Sequence, residues 1–565
     1  MKKFQLIPLL IAGAGFWAGA QTPNARLDIN SIRAAVHPKN SLFWNGTSLP
    51  GYEVPISSGK HTLNACSLWL IGEDLNDVLY GTYNRYGFSD VDTLPGPLQL
   101  TTGTTTPAVA AAYKRVWKIN QWEIDYLINA QNNGSLASGA FTPPVDILEW
   151  PANPPAVGYG DHLAPYFDKN NDNKYNIYDG DYPVIKGEQM LYYIINTRST
   201  ATDIQNPGLE IHVSVYACQN PGAPDSSAFI NYTTFVEYDI HNRGTVTLRN
   251  TYAGFNADGD IGYAFDDYTG SHVDANAFYF YNGDPSDGPG STPGPDHYGT
   301  NWPVQSVQFL EEQADSGQRP MGRFFSYENS AGPTGDPVVG QEYYNMLRGY
   351  WRNNSVMVFG GNGFAGSPGA TSLRAYYMYP GSSDPDNLAS GYIATGFEWT
   401  EAHPCPTCPA NAPGDRRGVG ATGPFTLQPG GSKKIVLGLV TTFDASLSSA
   451  GRIEKNRQQN KRLKQWYDAG QLPCVNNLSN KEVDAKAAFK IYPNPATDLV
   501  RVSGEGISAG TDYVLLDING RALQSGKGQQ AGTLELDVKG LTAGIYFIRL
   551  ANTQTGSHIV KFVKN

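Results

Sequence analysis

Charged side chains are scarce in this chain. They make up 16% of its 565 residues, and 41 basic against 52 acidic residues leave a net charge of −11. Nucleic-acid binding needs a basic face to displace counterions from phosphates, so this composition argues for no nucleic-acid partner. Cysteine is scarce too, with only Cys66, Cys218, Cys405, Cys408 and Cys474. That is too thin for a disulfide-stapled scaffold, and the odd count leaves at least one thiol unpaired within the chain. Beyond the N-terminus no apolar run reaches the roughly 20 residues that cross a bilayer, so no transmembrane span is expected. There is no His-Glu-x-x-His, no Gly-x-Ser-x-Gly and no phosphate-cradling glycine loop, so no familiar hydrolase or nucleotide site is signalled.

What is present begins with a leader. Lys2 and Lys3 precede the apolar stretch Phe4 to Trp17, and Ala18-Gly19-Ala20 forms a small-residue cleavage site. Residues 1–20 therefore read as a signal peptide, with Gln21 the expected mature start. In an exported chain the Cys405-Pro-Thr-Cys408 pair reads as a tight disulfide. A zinc site there would need two further ligands, and only His403 is near.

Glycine (62) and proline (38) keep helices short, while abundant tyrosine (34) suits sheets. Long period-two segments such as "QMLYYIINT", "LEIHVSVYA", "FINYTTFVEYDIHNRG" and "AFYFYNG" predict antiparallel strands with one face in a core. Short helices are expected after Asn120, where Glu123 completes a capping box, over 339–351, and over 452–470. The last should dock through Ile453, Leu463 and Trp466 and end at Gly470. The fold class is mainly β. A large antiparallel body spans 21–473, with room for two subdomains, followed by a polar linker at 474–488 and a small C-terminal β-sandwich at 489–565.

The stretch "FDKNNDNKYNIYDGDYP" concentrates oxygen ligands. Aligned as a twelve-residue calcium loop, it puts Asp168, Asn170 and Asp172 at positions 1, 3 and 5. Lys174 supplies the position-7 carbonyl and Asp179 takes position 12. Asn173 stands where a turn glycine is usual, and asparagine tolerates the left-handed conformation. Pro165 and Pro183 leave no room for flanking helices. Calcium bracing is the reading preferred here, beside that of an unmetallated polar turn. A second cluster holds Asp258, Asp260, Asp266 and Asp267. It admits three readings, in order of preference: acidic turn residues, a further calcium site at Asp258 and Asp260, and an acid–base carboxylate pair for glycoside hydrolysis. Arg416 and Arg417 read as side chains that tie down loops.

The C-terminal segment carries an ordered set of motifs. "YPNP" supplies Tyr492, Pro493, Asn494 and Pro495, and the two prolines fix a turn. "LLDINGRAL" follows with a hairpin turn at Asn519-Gly520. "LTAGIYFIRL" contributes Leu541, Gly544 and Tyr546, and the basic end "KFVKN" contributes Lys561 and Lys564. This segment resembles the type A C-terminal sorting domain of the type IX secretion system of Bacteroidota. The resemblance implies handling by the type IX machinery and export across the outer membrane after periplasmic transit. It also implies, in many cases, removal of the domain with attachment to surface lipopolysaccharide. Body segments such as "HPKNSLFWNG" and "GDRRGVGATGPFTL" resemble large exported proteins that carry the same tail, which implies a common architecture and no settled activity. The expected role is a surface or extracellular structural or binding protein. A secreted hydrolase acting on an extracellular polymer, as glycosidase or peptidase, is the alternative. A carboxylate pair converging on an aromatic-lined cleft would favour the hydrolase.

Overall fold

The computed structural model describes residues 25–44, 50–84, 92–199, 202–220, 227–290, 294–311, 319–473, 489–504, 507–517, 521–553 and 556–565. The expected leader, the 474–488 linker, Cys474 and the Asn519-Gly520 turn lie outside them.

Two large antiparallel sheets face each other across one core. The nine-stranded sheet runs, in spatial order, through Asp267–His272, Ala277–Asn282, Val304–Phe309, Ser432–Thr442, Thr233–Asn242, Leu209–Ala217, Gln189–Asn196 and Leu94–Pro95, while Trp117–Asn120 also pairs with Gln189–Asn196. The second sheet runs through Arg323–Glu328, Arg416–Leu427, Leu248–Gly259, Ala65–Glu73 and Ser41–Leu42, with Leu79–Thr82 paired to Ala65–Glu73. Alternation decides which side chains meet between them. Leu191, Tyr193 and Ile195 share a core with Val236, Tyr238, Ala253, Phe255 and Val419. Phe278 stacks on Phe324 across the gap, with ring centroids 5.0 Å apart.

The residues between those inward positions face the other way. Met190, Tyr192, Ile194, Tyr216 and Phe235 form a second core with helix Gln121–Asn132 and helix Ser449–Asp468. Both helices follow the sequence expectation. The Asn120 amide donates to Glu123 Oε2 at 2.8 Å, closing the capping box. Leu463 is fully buried, Trp466 stacks on Phe229 at 5.3 Å, and Gly470 has φ 63° just past the end. The expected helix over 339–351 occupies Gly340–Leu347.

One stretch departs from expectation. "FINYTTFVEYDIHNRG" is not one strand: Ala228–Tyr232 is a 3-10 turn, and the strand begins at Thr233. The Thr233 hydroxyl donates to the Phe229 carbonyl (2.8 Å), and the turn puts Phe229 and Ile230 together in the second core. Arg416 and Arg417 open strand Arg416–Leu427 and tie down loops from there, Arg416 through Glu401 and Ala412 and Arg417 through Asp336. The strand's glycines are there for space. A Cβ on Gly418 would meet the Phe324 ring at 2.8 Å, and one on Gly420 the Phe278 and Phe309 rings at 2.8 Å. The Cys405–Cys408 disulfide is formed, Cys218 is also disulfide-bonded, and Cys66 is free and buried.

The C-terminal segment is a small sandwich of two sheets, Lys490–Tyr492, Leu499–Ser503 and Thr533–Asp537 against Ala522–Lys527, Asp512–Leu516, Gly544–Thr553 and Gly556–Lys564. Val500, Leu536, Tyr546, Ile548 and Phe562 fill its own core. The Val563 amide donates to Asn494 Oδ1 at 2.8 Å, so "YPNP" pins the basic C-terminal strand. The sandwich also touches the body. Trp122 packs on Phe547 with centroids 4.3 Å apart, beside Val514 and Leu516, and Arg549 pairs with Glu188 at 2.8 Å. Among the described residues no helix is long and apolar enough to cross a membrane.

Candidate functional site

The 167–183 loop hangs from a two-residue ladder that pairs Tyr166–Phe167 with Tyr182–Pro183, and no helix flanks it. Its acidic side chains turn inward on their own backbone. Asp168 Oδ2 accepts from the Asn173 amide (2.8 Å), Asn170 Oδ1 from the Asp172 amide (3.1 Å), and Asp172 Oδ1 from the Lys174 amide (2.8 Å). Asn171 and Asn173 have φ near 60°, the left-handed geometry expected at the turn position. Asp179 stands apart from that group, in the 3-10 turn Ile177–Asp179, and accepts from Asn176 Nδ2 at 2.7 Å. The sequence reading gave Asp181 no role. It is fully buried and clamps both arms, accepting from the Lys169 amide (2.9 Å) and the Asn176 amide (2.8 Å).

Of the second cluster, Asp258 and Asp260 come together with a third carboxylate, Asp415. Their ligand oxygens lie within 4.8 Å of one another, the one such group of His, Cys, Asp or Glu among the described residues. A cation is already built in. Asp258 sits opposite Arg417 in strand register and accepts from its Nε at 3.0 Å. The same guanidinium pairs with Asp336 and lies 3.8 Å from Asp415. Burial opposes the charge of Arg417, but the three carboxylates more than offset it and hold the proton firmly. Asp260 makes no such pair. Burial, then the charges of Asp258 and Asp415, push its carboxyl well above the usual range. Arg416 repeats the pattern with buried Glu401, its Nη2 3.0 Å from Oε2.

Asp266 and Asp267 are loop ties. Asp267 Oδ2 accepts from the Ile261 amide and Asp266 Oδ2 from the Gly288 amide, each at 3.0 Å. Burial raises Asp266 to about 7 and Asp267 well above its ordinary value. None of the four aspartates lines the widest hollow found among the described residues, an open cleft.

That cleft, of about 470 Å3, lies on the outer face of the nine-stranded sheet, where the second core stops. Two strands present polar residues at every second position: Glu210, His212 and Ser214 on one, Glu237, Asp239 and His241 on its neighbour. His212 bridges the Tyr192 hydroxyl and Glu210 Oε1, both at 2.9 Å, and its ring lies 5.1 Å from that of His241. His241 Nε2 is 3.3 Å from Asp239. Burial works against ionisation of Glu210, but His212, Arg243 and the Leu98 amide hold it down at about 2. Burial pushes the Tyr192 hydroxyl far up, so it stays protonated. Asp161–Pro165 and Val184–Lys186, the segments flanking the 167–183 loop, form the opposite wall. No motif marks this site in the sequence. Its signal was the polar phase of the same alternation that marked the core.

Residues 490–565 match the family model described as secretion system C-terminal sorting domain, so the chain ends in a type IX sorting domain, which marks it for secretion or display at the cell surface. No curated protein matches the chain. A solved structure described as a polysaccharide lyase aligns with 66% of this chain at 8% identity and a TM-score of 0.17, and this chain spans 35% of that one.

Proposed function

We propose that this is a surface or extracellular protein, delivered by type IX secretion after periplasmic transit, that works by binding rather than by chemistry. The observation that supports this most is the fate of the four aspartates best suited to acid–base work. Asp258 is bonded to Arg417, Asp266 and Asp267 accept loop amides, and all four are buried away from the open cleft. A hydrolytic pair must reach the scissile bond with one member protonated and the other ionised. Calcium bound by Asp168, Asn170, Asp172, the Lys174 carbonyl and Asp179 would stiffen the wall of that cleft, and anchoring to lipopolysaccharide would follow removal of the tail.

One observation favours the hydrolase alternative: His212 and His241 stand side by side in an open cleft, backed by Glu210 and Asp239. Incubating the purified chain with panels of polysaccharides and peptides separates the two. No turnover is expected. Turnover abolished by His241→Ala, or by changing any one of the four aspartates to asparagine without loss of fold, would replace binding with catalysis.

A further inference from the structure

We infer that the cleft on the outer face of the nine-stranded sheet takes a short, uncharged saccharide. This rests on the binding reading above and names its ligand. The volume of about 470 Å3 falls within the roughly 300–1,000 Å3 of small-molecule sites. The walls are of two kinds, which is the first pointer. Leu163, Pro165, Val184 and Met190 offer carbon surface, and the strands Leu209–Ala217 and Thr233–Asn242 offer a polar floor. A pyranose ring has the same division, with C–H groups on its faces and hydroxyls around its edge.

Charge is the second pointer. Each cation at the cleft already has an anion. Lys186 pairs with Glu237, Lys434 lies 3.4 Å from the same Glu237, and Arg243 is 2.9 Å from Glu210. Three cations stand against Glu210, Glu237, Asp239 and Asp161, so a phosphate or uronate would find no surplus positive charge. An anion would also have to displace a carboxylate already in place, at the cost of leaving it unpaired.

Hydrogen-bonding capacity is the third. The Ser214 hydroxyl makes no hydrogen bond among the described residues, and Asp239, with His212 and Lys434 opposite it in register, is ion-paired there only to His241, through one oxygen. Lys434 uses one of three donors. Donors and acceptors thus alternate across neighbouring strands about 5 Å apart, a pattern that vicinal hydroxyls, each both donor and acceptor, can complete. Asp239 and Lys434 are partly exposed, so truncating either leaves the core untouched.

The test applies the full chain to an array of neutral and uronate-containing oligosaccharides and short peptides, then titrates the hits calorimetrically. Neutral oligosaccharides are expected to bind, with at least tenfold weaker affinity in Asp239→Ala and Lys434→Ala. Arg374→Ala, in a separate surface hollow, should bind as wild type. Melting curves check that each variant folds. Binding of uronates or peptides only, no binding to any neutral glycan, or affinity unchanged in both cleft variants would overturn the saccharide assignment. Cleavage of a bound neutral glycan would instead support the ligand and overturn the binding-only reading.

Discussion

Removing the Arg417 guanidinium should unfold the body more readily than any change at its surface. Arg417 and Asp258 side chains are 3% and 2% exposed, and Asp336 is 8% exposed. Arg417→Met keeps much of the volume and strands Asp258, Asp336 and Asp415 without their counter-charge. Breaking a buried pair from one side costs about 3–5 kcal/mol, because the remaining charge is left in a poor solvent. With a urea slope of about 3 kcal/mol per molar, suited to a large body, the midpoint should fall by about 1 M or more. The loss has a definite pH sign. Asp260 and Asp415 already have carboxyls raised by burial and by neighbouring carboxylates. Without the arginine the folded state holds its protons more tightly than the unfolded chain, so stability falls as pH rises and recovers towards acid. Urea unfolding at pH 5 and pH 7.5 reads both effects. Adding Asp258→Asn to Arg417→Met should restore part of the loss at pH 7.5. A variant as stable as wild type at neutral pH, or one that loses more stability at pH 5, would refute the account of this network.

Further outcomes follow from the loop and from the contact between the two sandwiches. If calcium fills the 167–183 loop, chelation should lower the melting temperature, since ligand at 100 times its Kd contributes about 2.7 kcal/mol, and Asp172→Ala should remove that dependence. Identical melting curves with calcium and with chelator would leave the self-bonded polar turn. At the contact with the sorting domain, burial raises the Asp125 carboxyl to about 6, above the ordinary value of 3.8. A carboxyl raised on folding favours the folded state when protonated and penalises it when ionised, so the penalty builds from about pH 4 and is complete above pH 6. Asp125→Asn should therefore raise the melting temperature of the full chain at pH 7.5 and leave it unchanged near pH 3.5. An equal effect at both values would contradict the shift.

Alternation made the sheets legible, because residues two apart share a face and Tyr193 or Val213 has to be buried on one side. It could not foresee strand Arg416–Leu427, whose glycines interrupt the apolar alternation and make room for Phe278, Phe309 and Phe324 from other parts of the chain. The sorting domain was legible because its motifs are local and ordered. The acidic cluster was half legible. Asp258 and Asp260 are two residues apart in sequence, but Asp415 and Arg417 arrive from the start of strand Arg416–Leu427, about 160 residues away, a distance no spacing rule spans. The cleft was hidden for a related reason. Each His–carboxylate pair sits two residues apart on one strand, but His212 and His241 meet only across strands, so neither strand alone shows more than polar residues spaced among apolar ones.

If the C-terminal sandwich carries the export signal, its removal should change where the protein is found. Cells expressing the full chain and a chain ending at residue 488 would be fractionated, and surface exposure scored by protease accessibility on intact cells. The full chain is expected outside the outer membrane and the shortened chain, with a body that still melts cooperatively, in the periplasm. Equal surface exposure of the folded, shortened chain would contradict it.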